Sequence, residues 1–281
     1  MAGGVIGILR PREWIKNGFV LAPLVFSATF RNPVAAGNAV LAAGLFCVAA
    51  SLAYVLNDLH DAAEDRRHPA KSRTRPLAAG TLSPGAAFAL GVVLAALLAG
   101  GAFLLPAAAG TLALYMALNV AYTLWIRDWP VADLFAVAAG FVLRAHAGAA
   151  AIPVPLSSWM FATTFALALF LVAVKRRQEL KSAASGRAVL ARYTPELLER
   201  FVQTAASATV AFYGIFVITQ RPRLVLTLPV VLFGFYRYWH VVETRGEGES
   251  PADTLFRDAP LVLAVTVWAV VCVWVMRGGP G

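Results

Sequence analysis

Long apolar runs, broken at intervals by short clusters of charge, organise this chain. They fall at Asn17–Phe30, Val34–Leu56, Pro84–Leu105, Ala107–Ile126, Val131–Ile152, Ser157–Val174, Glu196–Thr219, Arg223–Val242 and Pro260–Met276. Most approach the roughly 20 residues that a helix needs to cross bilayer hydrocarbon. A spanning backbone must satisfy its own hydrogen bonds, and these runs are far longer than barrel strands, so helices are the expected solution. The pattern predicts an all-α, polytopic membrane protein: a bundle of about nine transmembrane helices forming a single integral-membrane domain over residues 1–281.

Composition agrees. The chain is 59% hydrophobic and 14% charged, with a mean hydropathy of +0.70, against about 25% charged residues in ordinary soluble chains. The connections are too short to hold a separate soluble domain. Cys47 and Cys272 both lie in apolar runs without metal-ligand spacing, which argues against a disulfide framework or a zinc site. The opening Met1 to Leu9 is short and glycine-rich, so it reads as mature protein rather than a cleaved leader.

The net charge of +9 is explained by topology rather than by nucleic acid, which is not an expected partner. With the connections alternating in side, 19 of the 24 Lys and Arg fall on one face, four fall on the other, and Arg144 lies within a span. The positive-inside rule then puts the N-terminus and the crowded face in the cytoplasm of a plasma-membrane protein. All 15 acids, from Glu13 to Asp258, lie on that face or at its boundary. That rule demands nothing of acids, so their clustering points to work done there.

The densest segment is Asn57-Asp58-Leu59-His60-Asp61-Ala62-Ala63-Glu64-Asp65, at the cytoplasmic end of the second run. Helical spacing puts Asn57, Asp58, Asp61 and Asp65 on one face. Carboxylates so close repel one another unless cations intervene. Hard oxygen donors in partial coordination suit Mg²⁺, with water and substrate phosphates completing the shell. Arg66, Arg67, His68, Lys71, Arg73 and Arg75 follow directly, as a metal–diphosphate site would need, since guanidinium forks bind the oxygens that the metal leaves free.

Further cationic clusters stand at other cytoplasmic helix ends, in Arg10-Pro11-Arg12-Glu13-Trp14-Ile15-Lys16-Asn17 and in Lys175-Arg176-Arg177-Gln178-Glu179. Between them lies Tyr122-Thr123-Leu124-Trp125-Ile126-Arg127-Asp128, where Ala121-Tyr122-Thr123-Leu124 echoes Ala53-Tyr54-Val55-Leu56. This second copy carries Asp128 and Asp133 rather than a full acidic motif. Arg144 is expected to face a partner or a wet cavity, because a charge within a span is costly. It shares a helical stripe with Asp133, Gly140 and Gly148, and both anion binding and a structural ion pair remain open for it.

Taken together, Arg10 to Asn17, Tyr54 to Asp58, Asp65 to Lys71, Arg75 to Gly80, Gly140 to Ala145, Lys175 to Leu180 and Arg257-Asp258 make the chain resemble the UbiA superfamily of intramembrane prenyltransferases. Within it, the likeness is to the branch that places phosphoribose on a decaprenyl-type lipid phosphate. The resemblance implies transfer from 5-phosphoribosyl diphosphate to a polyprenyl phosphate, with Mg²⁺ on Asn57, Asp61 and Asp65. It makes Asp58 and Asp61 the catalytic candidates, and Lys16, Arg66, Lys71, Arg75, Tyr122, Arg127, Asp133, Arg144 and Lys175 the substrate-binding ones. Two other readings stay open: a prenyltransferase joining a polyprenyl diphosphate to a small or aromatic acceptor, and a lipid-phosphate transporter. A homo-oligomer is neither required nor excluded by the sequence.

Overall fold

The computed structural model of the chain describes residues 2–68, 71–182, 188–246, 248 and 250–277. Pro69, Arg187, Glu247 and Glu249, which entered the reading of motif and charge, lie outside the described residues. Among the described residues there is no strand. Eight helices are long and apolar enough to cross a membrane. They are α1 (Pro33–Arg67), α2 (Pro84–Leu104), α3 (Pro106–Leu124), α4 (Ala132–Ala151), α5 (Ser158–Ser182), α6 (Pro195–Gln220), α7 (Leu228–Arg245, led in by the 3-10 turns of Pro222–Thr227) and α8 (Ala259–Arg277).

Local chemistry sets several of the starts. Asn32, Ser83 and Thr194 each precede a proline, and their side-chain oxygens accept the amides of Val34 and Ala35, of Ala86 and of Leu197 respectively. The cap satisfies amide hydrogens that have no partner within the helix, and proline at the next position gives up a hydrogen bond that the first turn never makes.

The first predicted run, Asn17–Phe30, is built differently from the expectation of a spanning α-helix. A short helix, Ala2–Leu9, is followed by 3-10 turns over Pro11–Leu21, one α-helical turn at Ala22–Phe26 and a final 3-10 turn at Thr29–Arg31. Pro11 and Pro23 have no amide hydrogen to give to an α-helical ladder. The segment also presses its backbone onto α4, where a Cβ on Gly148 would collide with the backbone of Val20. It nonetheless makes the crossing, antiparallel to α1: Arg10 meets Asp58, Trp14 meets Ser51, and Asn17 meets Cys47.

Small residues let α1 and α4 come to the centre, with Ala39, Ala42, Ala49, Ala145, Ala147 and Ala149 all buried. Phe46, Leu112, Tyr115, Val20 and Ile152 pack around them. A second apolar cluster, built on Phe170, Val202, Tyr238 and Val241, joins α5, α6 and α7. Chain order therefore puts the C-terminal ends of α1, α3, α5 and α7 and the N-terminal ends of α4, α6 and α8 on one face, here called the motif face.

Candidate active site

The aspartate motif is helical throughout, because α1 runs eleven residues beyond Leu56, where the apolar stretch stops. Its three aspartates each meet a cation from outside the motif, whereas Glu64 is exposed. Asp58, almost fully buried, takes Arg10 at 2.5 Å and also Arg75. Asp61 accepts Arg127 at 2.6 Å, the His60 ring at 2.8 Å and the Asn57 amide at 3.2 Å. Asp65 lies 3.2 Å from Lys71. Thr123 in turn donates to the Asn57 oxygen at 3.3 Å, locking the end of α3 to the motif.

Three other segments, at Arg10, at Lys71 to Arg75 and at Thr123 to Arg127, thus close on one helix end. For Arg127, burial works to lower the pKa, but the hydrogen bond and charge of Asp61 outweigh it and raise the value, so this cation stays charged. The Arg10 guanidinium also stacks 4.6 Å from the Tyr54 ring centre.

A second cluster lies on the α4–α5 side. Arg176, 2% exposed, donates to Asp133 at 2.9 Å, to Glu179 at 2.7 Å and to the Tyr122 hydroxyl at 2.9 Å. The other Asp133 oxygen accepts the Tyr193 hydroxyl at 2.8 Å. Lys175 lies 3.9 Å from Glu179. Glu13 pairs with Lys16 and lies within electrostatic reach of Lys175 and Arg10, which draws the N-terminal segment and α5 toward one place. The two tyrosines of the sequence echo, Tyr54 and Tyr122, each meet an arginine.

Arg144 sits deeper, three turns along α4 from Asp133. Each of its three guanidinium nitrogens donates one hydrogen bond, to Asn17 at 2.8 Å, the Gly140 carbonyl at 2.9 Å and the Tyr115 hydroxyl at 2.8 Å, and the guanidinium faces the Tyr115 and Phe141 rings. All these partners are neutral. The structure builds neither an ion pair with Asp133 nor a shared partner for the two, although they lie on one stripe.

The sequence-predicted residues therefore gather in three groups: Asn57, Asp61 and Arg127; Asp58 with Arg75, and Asp65 with Lys71; and Tyr122, Asp133 and Lys175, with Lys16 nearby through Glu13. Arg66 is exposed to solvent at the helix end. Sequence reasoning passed over Arg10, Thr123, Arg176, Glu179 and Tyr193. Arg10 and Arg176 stand within cationic clusters that it had marked, whereas nothing local marks Tyr193, sixty residues from its partner Asp133.

Asn57, Asp61 and Asp65 present hard oxygen donors, and one buried Asp58 oxygen has no hydrogen-bond partner. Among the described residues no three acidic, histidine or cysteine side chains form a ready-made cage. That donor set fits Mg²⁺, which keeps few protein ligands and fills its octahedron with water and substrate phosphate. A cavity of about 460 Å³ beside His146, Ala149, Leu156 and Phe161 opens near the C-terminal end of α4, far from these charges, and has no part in this chemistry.

An all-helical, multi-pass membrane protein with acids, cations and phenols gathered at one face of the bundle is built to bind a polyanionic ligand at the edge of the bilayer. The UbiA prenyltransferase family matches residues 19–259, and the chain belongs to that family. It is 35% identical to the decaprenyl-phosphate phosphoribosyltransferase of Corynebacterium glutamicum, over 98% of this chain and 88% of that one. It is 33% identical to the enzyme of the same name from Mycobacterium tuberculosis, over 95% and 92% respectively. Among solved structures, a UbiA homologue from Archaeoglobus fulgidus bound to GPP and Mg²⁺ superimposes with a TM-score of 0.75 at 20% identity, covering 98% of this chain and 99% of that one.

Proposed function

We propose that this protein transfers the 5-phosphoribosyl group from 5-phosphoribosyl diphosphate to a polyprenyl phosphate at the cytoplasmic face of the plasma membrane, with Mg²⁺ and with release of diphosphate. The observation that carries this reading is the number and origin of the cations at the motif face: Arg10, Lys16, Lys71, Arg75, Arg127 and Lys175 come from four separate stretches of chain. Two substrates that together carry three anionic groups require such a set. A prenyl diphosphate attacked by an aromatic acceptor brings one anionic group and calls on a second acidic motif. Here Asp128 is largely exposed and Asp133 is closed off by Arg176 and Tyr193. The names of the two bacterial relatives support the same activity.

In this reading the C1–O bond to diphosphate breaks and the electron pair leaves with diphosphate, while an oxygen of the lipid phosphate forms the new bond to C1. The acceptor is already anionic, so no general base is required. Asn57, Asp61 and Asp65 would hold Mg²⁺, which would supply neutralisation of charge on the leaving group. Lys71, Arg75 and Arg127 hold diphosphate oxygens. Asp58, gripping Arg10 and Arg75 together, sets the position of both. Tyr122 faces the ribose side, backed by Asp133 through Arg176, and Lys16, Lys175 and Arg144 hold the 5-phosphate and the acceptor phosphate close to attack geometry.

The test is to incubate purified protein with Mg²⁺, labelled 5-phosphoribosyl diphosphate and a polyprenyl phosphate, and to identify the lipid product by mass spectrometry. The expected product carries ribose 5-phosphate on its original phosphate, and the dephosphorylated alcohol is inert. A prenyl chain joined to an aromatic ring, with loss of its own diphosphate, would refute phosphoribosyl transfer and leave the family membership intact.

A further inference from the structure

Val131, at the entry to α4, has φ +69°. A β-branched residue in that region is a genuine outlier and persists only where its surroundings hold it. The Val131 carbonyl accepts the Leu134 and Phe135 amides of the first turn of α4, and the residue's own amide is held by one side-chain atom. The Tyr193 hydroxyl accepts the Val131 amide hydrogen at 2.5 Å and donates its own hydrogen to Asp133 at 2.8 Å. Burial, and after it the Asp133 carboxylate, push the Tyr193 phenol above its ordinary range, so it remains a donor through neutral pH.

The remaining Asp133 oxygen takes the Arg176 Nε, and the other two nitrogens of Arg176 reach Tyr122 and Glu179. Arg176 and Tyr193 are 2% and 5% exposed, so neither offers surface to a substrate. Of their partners, Asp133 and Glu179 are buried as well, whereas half-buried Tyr122 lies beside Thr123, which holds Asn57, and Glu179 lies next to Lys175. The network thus ties a strained turn, the α4 entry, the end of α3 and the cationic end of α5 into one unit.

We infer that Arg176 and Tyr193 are positioning residues: they hold Asp133 and the Val131 turn, and through them Tyr122 and Lys175, in the geometry that the phosphoribosyl donor meets, without touching the donor themselves. The inference rests on the phosphoribosyl-transfer reading for the identity of that donor. Simple structural glue would behave differently, since its loss lowers the amount and thermal stability of folded protein but leaves the KM of the folded fraction unchanged.

The experiment uses the full-length protein with Mg²⁺, 5-phosphoribosyl diphosphate and polyprenyl phosphate. Tyr193→Phe should raise KM for 5-phosphoribosyl diphosphate about fivefold to tenfold, the effect of one well-placed hydrogen bond, with kcat and the KM for the lipid within about twofold of wild type. Arg176→Lys, which keeps the charge but cannot reach three partners at once, should raise the same KM at least as far. Adding Val131→Gly to Tyr193→Phe should lower KM at least twofold from that of the single variant, because glycine adopts φ +69° unaided, while the Asp133 hydrogen bond stays lost.

Unchanged donor KM in both single variants, whatever their melting temperatures, would overturn the inference, as would failure of Val131→Gly to lower the raised KM. If Arg176→Lys yields no folded protein, the Tyr193 and Val131 pair still decides. A wild-type protein inert toward 5-phosphoribosyl diphosphate but active with a prenyl diphosphate would refute the functional reading instead, and the same variants measured with that donor would still test the positioning role.

Discussion

Replacing Gly148 with alanine tests how the N-terminal segment is seated. A Cβ there would overlap the Val20 carbonyl oxygen and stand 2.8 Å from its carbon and 3.2 Å from the Val20 Cα. All three atoms are backbone, so no rotamer relieves the clash. Ordinary carbon–oxygen approach is about 3.3–3.6 Å, and α4 and the crossing segment must part by more than about 1 Å. Arg144 lies one helical turn from Gly148, and Asn17 three residues from Val20, so the same movement strains the 2.8 Å Arg144–Asn17 hydrogen bond. Overpacking costs about 1–3 kcal/mol, and a hydrogen bond to a charged group adds about 1.5–3 kcal/mol. At about 2–4 °C per kcal/mol for a chain of this size, the thermal midpoint in detergent should fall by roughly 5–25 °C, and turnover should fall with it as Arg144 loses its mooring. Gly110→Ala is the control, since nothing lies within 4 Å of its added Cβ, and it should be neutral or slightly stabilising. A wild-type midpoint and activity for Gly148→Ala would refute the close seating of this segment on α4.

Asp61→Asn removes one charge where Arg127, His60 and Asn57 converge. Turnover should drop about a hundredfold, the scale of losing one element of transition-state charge stabilisation, while the melting temperature stays near wild type; near-normal turnover in folded protein would count against Asp61 as a metal ligand. A single cysteine at Ser72, in a background lacking Cys47 and Cys272, should react with an impermeant thiol reagent only from the cytoplasmic side. Labelling from outside would reverse the proposed orientation.

Much of the fold was legible in the sequence because a bilayer imposes a one-dimensional rule. An apolar stretch of sufficient length must become a helix, and Asn32-Pro33, Ser83-Pro84 and Thr194-Pro195 mark starts by local capping chemistry. The crossing at residues 11–31 escaped that rule, since its 3-10 path is set by contact with Gly148 on α4 and by Arg10, Trp14 and Asn17 reaching α1, none of them local.

The site divides in the same way. Periodicity alone put Asn57, Asp58, Asp61 and Asp65 on one face, and charge asymmetry alone put the acids and most of the cations at one end of the bundle. Only the tertiary structure decided who pairs with whom. Asp58 binds Arg10 and Arg75, Asp61 binds Arg127, and Asp133 turns away from Arg144 on its own helix to Arg176 and Tyr193. The reason is reach. A helical stripe states the direction in which a side chain points, but ion pairs form over a few ångströms, and which distant segment comes within them depends on the packing of every helix between.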